Sequence, residues 1–495
     1  MTQKPNINAR VTRASLTLTD CPPEVAQKLQ FIKQDIKLEG GNFQSTPVPI
    51  AFASYDEKTK ICRTYPNALH MVQEVADKAG YNIVLNDQRN RPSLTTDNLD
   101  KEKFRSICMD ALKAVAEAGR SGLIVGPTGI GKTSILCGLV QMLPAHFKVL
   151  VTTEDRNVTL QLYQALSAAL PNETIGIHCK PTSKKGRIMV TNLDALKDFT
   201  QGELAYSQYA LKDFDAWICD EVHRLPVPSR IPFFSQFRPI FSWGLTATPN
   251  RADNSHILNE VMFGPVVYSV KHGEVFERQA QTGETGIVPI KVTVFPLLTE
   301  QPISDSEPLF AKVRKAYMQN PYLRKLIIGC LGAIPDIDEA KIMIFVDTRR
   351  LGILLSKAVP GFTFVHGLHN LAYRQEVLDK FKKGELTKII CTDIWSEGID
   401  VPDLQYVIDC SAKVSPNRII QRAGRAARTA GDKQEGMYIM LLSFTSQHLF
   451  NQGIKKLQAI STLGWGVRFM FDQASANALP FEQAALLSEL GKFSD

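Results

Sequence analysis

Residues 126–133 read GPTGIGKT. They follow a short apolar stretch, GLIV at 122–125, and open SILCGLVQML at 134–143, which is apolar at helical spacing and stopped by Pro144. Strand, glycine loop and helix in that order are the context a phosphate cradle requires; an incidental glycine turn would have neither flank. The glycines let successive N–H groups turn inward around an anion, and the helix N-terminus adds its positive end. The stretch predicts a nucleoside triphosphate site built from Gly126, Pro127, Thr128, Gly129, Ile130, Gly131, Lys132, Thr133 and Ser134. Lys132 is expected to reach the β- and γ-phosphates, and Thr133 to ligate Mg²⁺ through its hydroxyl.

Downstream the chain alternates strand and helix, as a parallel sheet with crossover helices does. Strands are expected at 148–153, 187–191 and 216–219, and helices at 157–170 and 193–199. The third of these strands delivers Asp220, Glu221, Val222 and His223 to its carboxyl end, where open α/β sheets bind ligands. Asp220 is placed there to hold Mg²⁺ through water, and Glu221 to orient and deprotonate an attacking water. Thr133, Asp220 and Glu221 are thus the expected metal side chains. An Asp-Glu pair alone says little; the phosphate loop ahead of it in the same domain gives it meaning. At 241–250, FSWGLTATPN sets Thr246 and Thr248 around Ala247, suiting a tight connection between the nucleotide site and another surface. A strand-like stretch at 287–295 precedes an expected boundary near residue 300.

A second α/β pattern follows without a phosphate loop. IMIFV at 342–346 leads into DTRR, FTFV at 362–365 into His366 and Gly367, and KIIC at 388–391 into Thr392 and Asp393, with SEGIDVP at 396–402. QRAGRAAR at 421–428 sets Arg425 and Arg428 on one helical face. Solvated surface arginines are one reading of them. With Gln421 they also suit charge stabilisation of a leaving phosphate, and both are then expected to be partly exposed in the open form. From 446 onward, Lys455, Lys456 and Arg468 interleave with Phe450, Trp465, Phe469 and Phe471. Aromatics packing a helical tail on the second domain is favoured over aromatics stacking on bases.

Ahead of the phosphate loop, residues 1–95 carry no phosphate signature. A strand is expected across 10–18, a helix from Pro22 and Pro23 to about Ile36, strands at 50–55 and 60–65, a helix at 67–78 and a strand at 83–85. That order, β-α-β-β-α-β, suits a small α+β module, and the polar stretch 86–99 reads as a linker. The chain of 495 residues is 44% hydrophobic and 22% charged, the make-up of an ordinary globular protein able to bury several cores. A net charge of +7 permits a polyanionic partner. No apolar run reaches the length of a membrane helix, the N-terminus lacks a signal core, and nine scattered cysteines form no zinc pattern. A reducing, cytoplasmic setting and no membrane are expected.

Taken in order, these strings resemble the motif set of superfamily-two helicases and translocases: GPTGIGKT motif I, DEVH motif II, LTATP motif III, TDIWSEGIDVP motif V and QRAGRAAR motif VI. GLTATPNRAD with EGIDVP is most similar to the branch containing XPB, RecG-like and UvsW-like enzymes. The stretch from YPNAL at 65–69 to GYNIV at 80–84 resembles the small substrate-sensing domain ahead of the motor in that branch, and chain length favours phage UvsW-like branch-migration helicases. The resemblance implies a small α+β domain (1–95), two RecA-like parallel-sheet lobes (96–300 and 301–445) and a helical tail (446–495). It implies ATP and Mg²⁺ between the lobes, with Gly398 and Asp400 also at the nucleotide and Gln421, Arg425 and Arg428 reaching its γ-phosphate. Thr153, Thr191, Arg349 and Thr392 would contact a nucleic-acid backbone. The implied activity is ATP-dependent remodelling of branched DNA in replication, recombination or repair by a monomer, in the host cytoplasm if phage-encoded, alongside other replication or recombination proteins. An RNA helicase, the motor of a restriction-type nuclease, and an ATP-switched nucleic-acid scaffold are the competing readings. The chain departs from the family before motif I, where KFRSICMDAL at 103–112 lacks the glutamine that commonly reads adenine; Phe104 or Arg105 is the candidate to stack on the base instead.

Overall fold

The computed structural model describes residues 4–39, 42–154, 156–199, 210–225, 237–249, 253–284, 286–297, 299, 303–395, 401, 403–412, 416–427, 433, 435–461, 463, 465–470 and 492–493. It divides into two units: Met1–Lys37 with Phe43–Val270, and Leu38–Asn42 with Lys271–Asp495.

In the first unit an eight-stranded sheet runs in the order Thr182–Lys184, Ile175–Cys179, Ile188–Asn192, Val149–Thr153, Ala216–Asp220, Phe241–Thr246, Gly122–Val125 and Val266–Ser269. Only the first of these is antiparallel to its neighbour. Because helices cover such a sheet on both faces, its central strands read as continuous apolar runs and are buried throughout. Leu123, Leu150, Met189, Trp217 and Phe263 share one core. The Ser106–Ala118 helix ends where Gly119 takes a left-handed φ of 55°. Leu193–Phe199, expected as an α-helix, is a tighter 3₁₀ segment whose first turn is fixed by the Asn192 side chain accepting from the Ala195 amide. Ile175–Cys179 was not anticipated because Gly176 and His178 interrupt its apolar pattern; His178 is buried beside Asp198 at 2.9 Å.

The same unit holds a five-stranded sheet in the order Ala53–Asp56, Ile61–Thr64, Leu16–Thr19, Asn6–Val11, Asn82–Asp87. Two expectations fail here. The single strand across 10–18 is a hairpin, because the Thr12 hydroxyl accepts from the Ala14 and Ser15 amides and turns the chain. The helix after Pro22 stops at Ala26, and Gln30–Glu39 is instead a strand paired with Asn42–Ala51. Leu258 and Val261 enter the core of this small sheet, and Asn67 Nδ2 donates to the Met262 carbonyl at 2.6 Å. The five-stranded sheet is therefore packed against the Ile257–Phe263 helix of the phosphate-loop domain.

The second unit has eight parallel strands in the order Thr363–Val365, Lys388–Cys391, Ile342–Val346, Tyr406–Cys410, Gly436–Leu442, Ile290–Pro296, Val467–Phe469 and Lys492–Phe493. Ile290–Pro296 lies well inside this sheet, with Ile290, Val292 and Val294 in its core. The division falls at Val270 rather than near 300. The tail is not helical alone: after the Gln447–Ser461 helix, Val467–Phe469 joins the sheet, and Phe450, Trp465 and Phe469 fill the core. Phe471 lies outside the described residues.

Gly436 tests how tightly this unit is packed. A Cβ there would overlap the Ala426 carbonyl at the end of the Pro416–Ala426 helix. Gly436→Ala is expected to destabilise the protein by about 1–3 kcal/mol, measured as a lower midpoint in urea; an unchanged midpoint would contradict that packing.

Candidate functional site

The phosphate loop lies where the sequence puts it, between the Gly122–Val125 strand and the Lys132–Met142 helix. Gly129 and Gly131 adopt φ of 93° and 99°, which only glycine takes without strain. The Gly126 amide bonds the Thr246 carbonyl at 3.0 Å, so the loop is tied directly to the strand bearing Thr246. Thr133 is exposed in the first helical turn, and Ser134 is partly buried beside it.

Asp220 ends its strand and accepts from the Glu221 amide at 3.0 Å. Glu221 is a non-glycine residue in the left-handed region, φ 48°, the kind of strained backbone that functional sites retain. Its Oε1 sits 3.5 Å from Lys132 Nζ, and its Oε2 3.4 Å from His223 Nδ1. Burial and the neighbouring Glu221 charge push the Asp220 carboxyl up to about 6. Burial would raise Glu221 as well, but the Lys132 charge and the His223 bond hold it down at about 2, so it is ionised at neutral pH.

His223 Nδ1 lies 3.0 Å from Thr246 Oγ1, which in turn accepts from the Thr248 amide at 3.0 Å. A continuous chain thus runs from Lys132 through Glu221 and His223 to Thr246 and Thr248. Sequence reasoning gave Thr246 and Thr248 a connecting role but assigned none to His223; its signal was the fourth position of DEVH. Thr128 Oγ1, Lys132 Nζ, Glu221 Oε2 and Thr248 Oγ1 are buried without a hydrogen-bond partner. Orphaned polar atoms around a glycine cradle fit a polar, anionic ligand. Mg²⁺ binds through one or two protein oxygens with water and phosphate oxygens, and Thr133 and Asp220 suit that demand.

In the second unit, Gln421 and Arg425 lie on the Pro416–Ala426 helix, which an ionic network anchors to the sheet. Arg422, wholly buried, donates to Asp409 at 3.0 and 3.1 Å, to Ser411 Oγ at 2.5 Å and to Asp393. Its guanidinium also lies over the Phe345 ring, 4.5 Å from the centroid. Tyr438 Oη donates to Asp409 at 2.6 Å, and Lys456 Nζ to the Ser411 carbonyl. Against the cost of burial, Arg422 and then Lys456 hold the Asp409 carboxyl down to about 2. Gln421 and Arg425 are each 5% exposed. The helix that bears them is packed against the Tyr406–Cys410 and Gly436–Leu442 strands and the Gln447–Ser461 helix. Arg428, Gly398 and Asp400 lie outside the described residues.

Of the expected nucleic-acid contacts, Arg349 is exposed at the start of the Arg349–Ala358 helix, which the Thr348 side chain caps, and Thr392 is partly buried. Thr153 and Thr191 are fully buried. The Thr153 hydroxyl is 2.6 Å from that of Thr159, and the Thr191 hydroxyl donates to the His178 carbonyl at 2.8 Å. Sitting in central strands, these two hydroxyls face the interior rather than a ligand.

Comparison with known proteins matches residues 100–251 to the family described as type III restriction enzyme, res subunit, and residues 324–430 to the helicase conserved C-terminal domain. A DNA 3′-5′ translocase, XPB2, of Sulfurisphaera tokodaii is 25% identical over 367 residues, covering 66% of this chain and 79% of that protein. A putative DNA 3′-5′ helicase, Rad25, of Haloarcula marismortui is 26% identical over 365 residues, covering 71% of this chain and 56% of that protein. In fold the chain is similar to S. cerevisiae Dbp5 bound to RNA and ADP BeF3, with TM-score 0.54 at 15% identity, over 78% of this chain and 94% of that one. Among the described residues no helix is long and apolar enough to cross a membrane.

Two substitutions separate the roles at this site. Lys132→Ala should abolish triphosphate binding and turnover together. Glu221→Gln removes the carboxylate that neutralises Lys132 as well as the base, so binding should hold or tighten while turnover falls roughly a hundredfold or more. Calorimetry and a phosphate-release assay check both; wild-type turnover in Glu221→Gln would refute the base assignment.

Proposed function

Because this chain is a superfamily-two helicase, we propose that it is an ATP-driven translocase on DNA and that its substrates are branched. The observation that carries the reading is the chain of contacts from the phosphate loop through Lys132, Glu221 and His223 to Thr246 and Thr248, a candidate base and its lysine counter-charge joined to a second strand end. A binding scaffold has no use for an aligned base, which disfavours the ATP-switched scaffold. The relatives named as DNA translocase and DNA helicase support DNA as the track.

In this reading the loop amides and Lys132 bind the triphosphate of ATP. Mg²⁺, when bound at Thr133 and Asp220, would neutralise the phosphate oxygens and polarise the bond to be broken. As Lys132 turns to the phosphates, Glu221 loses the cation that keeps its basicity low and becomes a better acceptor for the proton of the attacking water. His223, whose Nδ1 lies 3.4 Å from the second Glu221 oxygen and 3.0 Å from Thr246 Oγ1, would pass a shift of the carboxylate to Thr246 and Thr248, which couple hydrolysis to the nucleic-acid side. In the second unit Arg425 is a cation suited to a phosphate, on a helix that the Arg422 network keeps in place.

The small N-terminal sheet supports branched substrates. Its register lines up Asn86, Arg10, Thr17, Arg63 and Ser54 across all five strands. Their alternate partners Ile7, Ala9, Val11, Leu16, Leu18 and Cys62 are buried, so this row is the outer face. Two arginines among amides and hydroxyls can grip a sugar–phosphate backbone beside the motor without reading sequence.

Arg10→Glu with Arg63→Glu should reduce unwinding of forked and four-way DNA by about tenfold, as lost phosphate contacts would. ATP hydrolysis stimulated by single strands should stay near wild type. Strand separation and ATPase on forked, duplex and single-stranded DNA and on RNA, at one salt concentration, check this. Equal losses on linear and branched DNA would count against branch sensing, and stimulation by RNA alone would count against DNA.

A further inference from the structure

The glycine loop has a polar support behind it that no motif assigns. Arg105, which precedes the Ser106–Ala118 helix, donates from Nη2 to the Gly129 carbonyl at 2.8 Å. One turn later Cys108 Sγ donates to the Ile130 carbonyl at 3.2 Å and lies 3.9 Å from the Gly131 carbonyl. Three consecutive loop carbonyls therefore face this helix. In a planar trans peptide the C=O and the following N–H point in opposite directions. Holding the Ile130 carbonyl toward the helix aims the Gly131 amide away from it, as an anion nest requires, while the Gly131 carbonyl accepts from the Ile135 amide at 3.0 Å. The space is fully used: a Cβ on Gly131 would sit 2.7 Å from Arg105 Nη2 and 2.8 Å from Cys108 Sγ.

From the sequence, Arg105 was a candidate to stack on the base, yet its guanidinium is committed to a loop carbonyl. We propose that Arg105 and Cys108 are positioning residues for the triphosphate: they orient the loop amides from behind and take no part in distinguishing the base. The proposal rests on the nucleotide-site reading above and extends it. Its consequence is that disturbing either residue weakens every triphosphate by the same factor, whatever base it carries and even when it carries none.

The test compares wild type with Arg105→Ala, Cys108→Ala and Cys108→Ser in the full chain, with melting curves recorded for each. Binding of ATP, GTP and inorganic tripolyphosphate, each with Mg²⁺, is measured by calorimetry, and ATP turnover is resolved into KM and kcat. Arg105→Ala should weaken all three ligands equally, by about tenfold, the size of one charge-assisted hydrogen bond. KM should rise by that factor while kcat changes much less. Cys108→Ala should weaken binding in the same even-handed way, and Cys108→Ser, which keeps a donor, should restore it. Weaker ATP with unchanged tripolyphosphate would overturn the proposal in favour of base reading, and unchanged affinity in both alanine variants would overturn it outright. Should Arg105→Ala melt early, the Cys108 pair decides the matter, because Ala and Ser differ from Cys by little volume. Wild type that binds none of the three ligands would refute the nucleotide site itself, a failure separate from that of the proposal.

Discussion

An ammonium and a carboxylate 3.5 Å apart, Lys132 Nζ and Glu221 Oε1, set the state of the first unit. Each is mostly buried, and each would be costly to hold alone in that setting. Together they keep the loop charged but neutral overall, with the lysine available to a stronger anion. In the proposed reading a triphosphate is that anion. Its arrival would exchange one partner of Lys132 for another and leave Glu221 ionised, less strongly countered, and 3.4 Å from His223 Nδ1. Binding and activation of the base are then one event rather than two, which limits hydrolysis to the loaded site.

The second unit uses buried charge differently. Arg422, Asp409, Lys456 and Tyr438 satisfy one another inside the sheet and offer nothing to a ligand. Breaking such a network leaves an uncompensated charge in a poorly solvating interior, so its members act as a rigid mount. What it mounts is the helix with Gln421 and Arg425, one residue before and three after Arg422. In the proposed reading Arg425 meets a phosphate, and a rigid mount would hold it ready for that.

The two parallel sheets were legible because their strands are buried on both faces and announce themselves as apolar runs, IMIFV at 342–346 being the plainest case. The phosphate loop and Asp220 with Glu221 were legible for a different reason: their chemistry dictates residue type and spacing. What was missed lacked either signal. His223 gains its role from Thr246, a partner across the sheet that spacing does not reveal. Thr153 and Thr191 were assigned outward by resemblance, although central strand positions bury them. Beside the five-stranded sheet, Phe31 and its neighbours follow the period of neither a clean helix nor a clean strand, and the pairing of Gln30–Glu39 with Asn42–Ala51 in a two-stranded sheet of their own decides the outcome. The boundary at 300 failed because Ile290–Pro296 pairs with strands far along the chain, information that no local window holds.

Amide hydrogen exchange across residues 129–134, with and without a saturating non-hydrolysable ATP analogue and Mg²⁺, tests the central claim most directly. The loop N–H groups are the proposed ligands of the triphosphate, so their exchange should slow strongly with the analogue, while adenosine at the same concentration should leave them unchanged. Exchange in this loop that is the same with the analogue bound as without it would contradict the account.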